Sequence, residues 1–167
     1  MKCREIIEIL ETLAPKSCAC DWDNPGLLAG RMDKDVKKIL LTLDADDAAV
    51  ERAKEIGADM LLSHHPLIFK PVKHVSDEDF IGRRLVSLIQ ADVSYYAMHT
   101  NFDSAPGCMA DIVADRLNFV DQKPLELMGE LSGTAYGIGK TGTLKKPMTG
   151  PELAREVKNR FGLTTRR

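Results

Sequence analysis

The sequence predicts an α/β fold, a mostly parallel sheet flanked by helices. Short apolar runs of strand length recur at Lys38-Ile39-Leu40-Leu41-Thr42-Leu43, Met60-Leu61-Leu62 and Val93–Met98. Helix-patterned segments over 46–56 and 76–90 fill the intervals between them. This alternation implies right-handed crossovers and parallel pairing. The 167 residues correspond to about one domain at ~100–200 residues each. Within it, residues 1–118 read as an α/β domain carrying the histidine motifs. Residues 119–167 read as the start of a second lobe or edge layer, incomplete at its C-terminal end.

In chain order, Lys2–Ala14 is expected to be helical, with Ile6, Ile7, Leu10 and Leu13 on one stripe and Pro15 as its stop. Residues 15–26 read as loop, because Pro15, Asp21, Asp23, Asn24, Pro25 and Gly26 break regular structure. Leu27–Gly30 reads as a short strand. The continuous apolar run at 38–43 predicts a strand buried on both faces. A helix follows over Asp46–Ile56, capped by Asp44 or Asp46 and stopped by Gly57. Ser76-x-x-Asp79 is a cap signature for the helix reaching Gln90. Pro106–Leu117 is expected to form another helix. The stretch 119–145 turns strand-like and Gly-rich, as an added edge or a hairpin layer would. Thr149-x-x-Glu152, with Pro151 in the first turn, opens a last helix that ends near Gly162.

Composition excludes several classes. With 44% hydrophobic and 29% charged residues, the chain is not of the disordered type. No apolar run approaches the ~20 residues of a membrane span, and the charged N-terminal helix leaves no signal-peptide pattern, so a cytoplasmic setting is expected. Cys3, Cys18, Cys20 and Cys108 form no disulfide framework and fit a reducing compartment; Cys18 and Cys20 read as ordinary loop thiols rather than half a metal site. Net charge is −2, unevenly spread: Lys140–Arg167 holds eight Lys/Arg against two Glu, leaving −8 over the first 139 residues. The basic end reads as a solvated helix face plus tail, with nucleic-acid contact as the weaker alternative.

The chemistry is expected beyond the carboxyl ends of the strands, where open parallel sheets bind ligands. Ser63-His64-His65-Pro66 follows one predicted strand and His99-Thr100-Asn101-Phe102-Asp103 another. Imidazoles with a carboxylate suit zinc, iron, manganese or nickel rather than calcium. Adjacent histidines on a turning backbone are expected to diverge and serve two neighbouring metals. Asp103 is a candidate to bind one metal or bridge two, and His99 to act as ligand, proton shuttle or positioning partner. His74, in a basic loop, reads as a surface residue. Gly137-x-Gly139-x-x-Gly142 matches a dinucleotide pattern but opens no helix, so it is set aside. Neither a phosphate-cradling loop nor a Gly-x-Ser-x-Gly elbow is present. Trp22, flanked by Asp23, Asn24 and Pro25, reads equally as a core residue or as part of a loop facing the site.

Taken together these residues resemble the Nif-three-like dinuclear metal centre proteins, often labelled homologues of GTP cyclohydrolase I type 2. The resemblance rests on Trp22-Asp23-Asn24-Pro25-Gly26-Leu27, Leu41-Thr42-Leu43-Asp44, His64-His65-Pro66-Leu67-Ile68-Phe69 and Tyr96-Ala97-Met98-His99-Thr100-Asn101-Phe102-Asp103, with a weaker likeness at Tyr136–Leu144. It runs in order from residue 2 to about 163. It implies metal ligands at His64, His65 and Asp103, a two-lobed α/β fold and toroidal hexamers. Trp22, Asp23 and Asn101 would line or brace the pocket. The family's C-terminal His and Glu ligands have no counterpart here, His99 being the last histidine, so the chain reads as an N-terminal portion of that fold or a short member. The function expected is that of a metal-dependent hydrolase acting on a nucleotide-like or phosphorylated small molecule, with one or two divalent ions. The alternative is a non-enzymatic metal-binding or regulatory protein. A homo-oligomer is expected in either case.

Overall fold

The structure is a computed structural model that describes residues 1–164. Residues 165–167, which carry two of the basic residues of the C-terminal stretch, lie outside the described residues. Contacts divide the chain into two units, 1–102 and 103–167. The division falls earlier than the 118/119 boundary read from sequence, because the helix at Met109–Arg116 packs on the hairpin that follows it.

The first unit is built from α1 (Cys3–Leu13), β1 (Gly26–Ala29), β2 (Ile39–Thr42), α2 (Asp47–Glu55), β3 (Met60–Ser63), α3 (Phe80–Gln90) and β4 (Ser94–Ala97). The sheet runs β1-β4-β3-β2. β2, β3 and β4 are parallel and share one register, with Thr42 level with Ser63 and Ser63 level with Ala97. β1 is antiparallel to β4, with Gly26 level with Ala97. The mostly parallel sheet expected from the alternation is therefore present, with an antiparallel edge added by β1.

The two inner strands are covered on both faces. Leu61, Tyr95 and Ala97 pack with Val50 and Ala53 of α2 and Leu85 and Leu88 of α3. On the opposite face the Tyr96 hydroxyl reaches Glu11 of α1 at 3.4 Å. β2 corrects an expectation, since its apolar run is not buried on both faces. It is an edge strand: Leu40 packs on the core, while Leu41, pointing the other way, is 73% exposed. An unbroken apolar run looks the same whether one face is covered or two.

The helix starts follow side-chain chemistry. Asp46 caps α2, accepting from the Ala49 amide at 2.8 Å, which leaves Asp44 outside the helix. α3 starts later than the Ser76 signature suggests. Asp79 is its cap, accepting from the Gly82 amide at 2.8 Å. The chain before it folds so close that a Cβ on Gly82 would lie 2.0 Å from the Ser76 carbonyl oxygen. Residues 100–104, expected as loop, form a short helix α4 (Thr100–Ser104). The helix expected from Pro106 starts later, after a turn at Gly107 (φ 75°), as α5 (Met109–Arg116).

The second unit contains α5, the long antiparallel hairpin of β5 (Phe119–Leu131) and β6 (Thr134–Leu144), and α6 (Gly150–Phe161). The hairpin bears out the hairpin-layer expectation. Gly137 of the discarded dinucleotide pattern lies on β6, where an added Cβ would sit 1.9 Å from the Glu126 carbonyl oxygen. That glycine serves close strand contact, not phosphate binding. α6 opens as expected, with Glu152 reaching back to the Thr149 amide at 2.7 Å, and Gly162 ends it in the left-handed conformation.

Candidate metal centre

Because β2, β3 and β4 are parallel and in register, the residues following them emerge at one end of the sheet. Asp44 follows β2, His64 and His65 follow β3, and His99 follows β4. Since β1 runs antiparallel, its N-terminal end lies at that same end. It brings the loop Trp22-Asp23-Asn24 with it.

His64, His65 and His99 form one group there, each offering a ring nitrogen within 4.8 Å of the others'. Their ring centroids stand 4.9, 5.2 and 5.6 Å apart. His64 and His65 therefore converge, where divergence was expected of adjacent histidines on a turning backbone. The reason is the turn after Ser63. The Ser63 hydroxyl donates to the His65 carbonyl at 2.8 Å, and the Tyr95 hydroxyl donates to the same carbonyl at 3.2 Å. The Leu67 amide in turn donates to the Tyr95 hydroxyl at 2.7 Å.

Every imidazole has an acceptor on Nδ1. For His64 it is the Met98 carbonyl at 2.9 Å, for His65 the Asp44 carboxylate at 2.8 Å, and for His99 the Asp23 carboxylate at 2.8 Å. A carbonyl or carboxylate oxygen only accepts, so each Nδ1 carries the proton and each Nε2 the lone pair. This is how histidines are oriented for a metal.

Asp23 is the most constrained of these partners, its side chain 0% exposed. It accepts from the Thr100 amide at 2.9 Å, the Thr100 hydroxyl at 2.5 Å and the Asn24 amide at 2.7 Å, besides His99. Burial pushes its carboxyl pKa up. The hydrogen bonds from Thr100, His99 and Asn24 outweigh burial and hold it below the usual carboxylate range. Asn101, fully buried, accepts from the His99 amide at 2.9 Å and donates to the Ala14 carbonyl at 2.8 Å, tying the start of α4 to the end of α1. These two bonds fix the turn at His99.

Trp22 is not a core residue. It is 61% exposed, with its ring 5.8 Å from Phe69 and 6.2 Å from His99. His74 lies on an exposed loop, as expected. Asp103 belongs to the second unit, in α4. It lines a cavity of about 290 Å³ there with Met109, Val113, Phe119 and Lys140. The cluster within the first unit consists of the three histidines.

The sequence reading missed Asp44, Tyr95 and Ser63 as parts of this site. Asp44 carried a usable signal, two residues past a strand parallel to the one before the histidines. Tyr95 gave none, because its hydroxyl works from inside the core.

Three imidazoles with fixed tautomers fit a transition-metal ion. Nitrogens bound at ~2.0–2.1 Å in a tetrahedral site stand roughly 3.3–3.4 Å apart, so small side-chain movements close the group on an ion. Half of the His65 side chain faces solvent, which leaves a route in. Among the described residues, no helix is long and apolar enough to cross a membrane.

The family model Duf34/NIF3 (NGG1p interacting factor 3) matches residues 1–167. A GTP cyclohydrolase 1 type 2 homolog of Clostridium perfringens is 35% identical over 98% of this chain, which spans 62% of that protein. A similarly named protein of Methanocaldococcus jannaschii is 35% identical over 87% of this chain and 56% of its own length. Among solved structures, reduced HcgD from Methanocaldococcus jannaschii superposes with TM-score 0.81 at 33% identity, over 95% of this chain and 60% of that one. A Bacillus cereus protein related to NIF3 shares the fold with TM-score 0.87 at 21% identity, over 99% of this chain and 71% of its own. The family match covers every residue, and it includes the strand-end histidines and the loop that orients them. The chain therefore belongs to the Duf34/NIF3 family.

Proposed function

We propose that this chain is a metal-dependent hydrolase acting on a nucleotide-like or phosphorylated small molecule. The observation that carries the reading is the set of three imidazoles with ring nitrogens within 4.8 Å of one another, each with Nδ1 tied to an acceptor. The names of its relatives as GTP cyclohydrolase homologs point to the same class of chemistry. His64, His65 and His99 would hold the ion, which can be zinc, iron, manganese or nickel. Asp103 is a further ligand by resemblance alone.

A bound divalent ion supplies a water whose pKa falls to near ~7 and a positive charge beside the scissile bond. The protein's own part is positional. Asp23 and Asp44 keep two of the rings in the tautomer that ligates, and the Met98 carbonyl keeps the third. Asn101 and Tyr95 stiffen the two turns that carry them. The solvent-facing side of His65 would give substrate access to the group.

The test is metal analysis of the purified protein and of His65→Ala, with hydrolysis of nucleotides and phosphoesters assayed in zinc, manganese and iron. Bound metal that is lost in the variant, together with metal-dependent turnover, is the expected outcome. Full metal content in His65→Ala would sink the ligand assignment. The alternative is a non-enzymatic metal-binding or regulatory protein. That reading predicts intact metal binding and no turnover. Self-association is proposed as well, and sedimentation at micromolar protein should show a species larger than the monomer.

A further inference from the structure

Trp22 and Phe69 are large aromatic side chains that the fold leaves in solvent, 61% and 44% exposed. Both edge onto the metal centre. Phe69 lies 6.5 Å from the His99 ring at 82°, and Trp22 lies 6.2 Å from it at 72°. The two rings are 5.8 Å apart and tilted by 57°, so they form an angled wall.

They come from loops far apart in sequence that are fastened to each other. The Asn24 side chain donates to the Ile68 carbonyl at 2.7 Å, next to Phe69, and Asp23, next to Trp22, is locked by its four donors. Apolar rings held in water by part-buried polar bonds do nothing for the core. Their packing value is realised only when a ligand covers them. The loop continues from Phe69 with the exposed cations Lys70 and Lys73.

We propose that Trp22 and Phe69 are specificity-determining residues that receive the planar heteroaromatic ring of an anionic ligand, while its polar end reaches the histidine centre. The inference rests on the proposed function and narrows it. Among nucleotide-like and simple phosphorylated molecules, the wall selects those with a ring to stack. Stacking on an aromatic side chain is worth ~1–3 kcal/mol per base by alanine substitution, which corresponds to about 5–150-fold in affinity.

Trp22 is the chain's single tryptophan, so intrinsic fluorescence reports on this wall alone. The experiment titrates the full chain, loaded with zinc, against adenosine and guanosine monophosphates, with ribose 5-phosphate as the ring-free control. Zinc affinity is measured separately by competition with a chromogenic chelator. The expected result is saturable quenching by the nucleotides and none by ribose 5-phosphate. In Phe69→Ala, nucleotide affinity should fall by roughly tenfold with zinc affinity unchanged. By calorimetry, Trp22→Phe should retain most of the nucleotide affinity and Trp22→Ala should lose it.

Absence of nucleotide binding to the zinc-loaded protein would overturn the proposal. So would equal affinity for ribose 5-phosphate, or a Phe69→Ala protein that binds nucleotide like the parent. If the chain binds no zinc yet ring-selective quenching persists, the metal reading fails and the aromatic wall stands. If zinc binds and ring selectivity is absent, only the wall fails.

Discussion

The two units of this chain differ in how much of a packed core they hold. In residues 1–102 the strands and helices close on each other, and Leu61, Leu88, Tyr95 and Ala97 are fully buried. In residues 103–167 the long hairpin leaves Leu125 and Leu127 exposed, and no residue of α6 is buried. The chemistry-bearing histidines lie in the first unit. The difference is instructive because a metal centre needs side chains whose positions are over-determined by packing and by bonds behind them. The first unit supplies both, whereas the hairpin supplies mainly backbone pairing.

The comparison can be broken by mutation. The largest effect is expected in the core: Leu88→Ala should cost about 2–5 kcal/mol in urea unfolding, whereas Leu127→Ala on the hairpin should stay within about 0.5. Equal losses would show that the hairpin is packed as tightly as the sheet. Next, Tyr95→Phe removes the hydroxyl joining Ser63, Leu67 and the His65 carbonyl. Its expected cost is about 1–3 kcal/mol, with metal affinity falling in parallel. An unaltered metal affinity would mean that the turn holds the histidines without it.

Asp23→Ala should weaken metal binding by about 10–100-fold, read by chelator competition. An affinity matching the parent would show that the His99 tautomer needs no carboxylate.

The smallest expected effect is on acid stability. Backbone hydrogen bonds from Lys37 and Lys38 hold the Asp59 pKa down, and the side-chain bond from Arg31 does so for Asp92. Their folded values lie below the unfolded ~3.9, so their contribution is complete above about pH 4 and is lost as pH falls through the folded values. Urea midpoints measured from pH 7 down to pH 3 should drop at the acid end, and Asp59→Asn should flatten part of that drop. A variant with the parent's acid slope would remove Asp59 from the explanation.

Much of the fold could be read locally. The apolar runs marked β2, β3 and β4, and the Thr149–Glu152 box and Gly162 marked both ends of α6. What failed was anything set by neighbours. The run at 39–42 looks doubly buried but lies at an edge. Thr100–Ser104 looks like loop, yet it forms a helix whose start is held by Asp23 and Asn101. For the site, His64, His65 and Asp23 were legible as residues of interest. His99 was legible too, with ligand as one of three roles expected of it, but the carboxylate 76 positions earlier behind it was not.

By itself the sequence determined which residues are available for chemistry and which strand ends carry them, because side-chain type and apolar periodicity are local properties. The tertiary structure alone decided strand order, the antiparallel placement of β1 and therefore the arrival of Trp22 and Asp23 beside His99. Those features depend on hydrogen-bonded pairing between segments some 70 residues apart. No local pattern specifies which edge of a sheet an added strand will take. Here that choice turned strand-end histidines into an oriented, aromatic-walled centre.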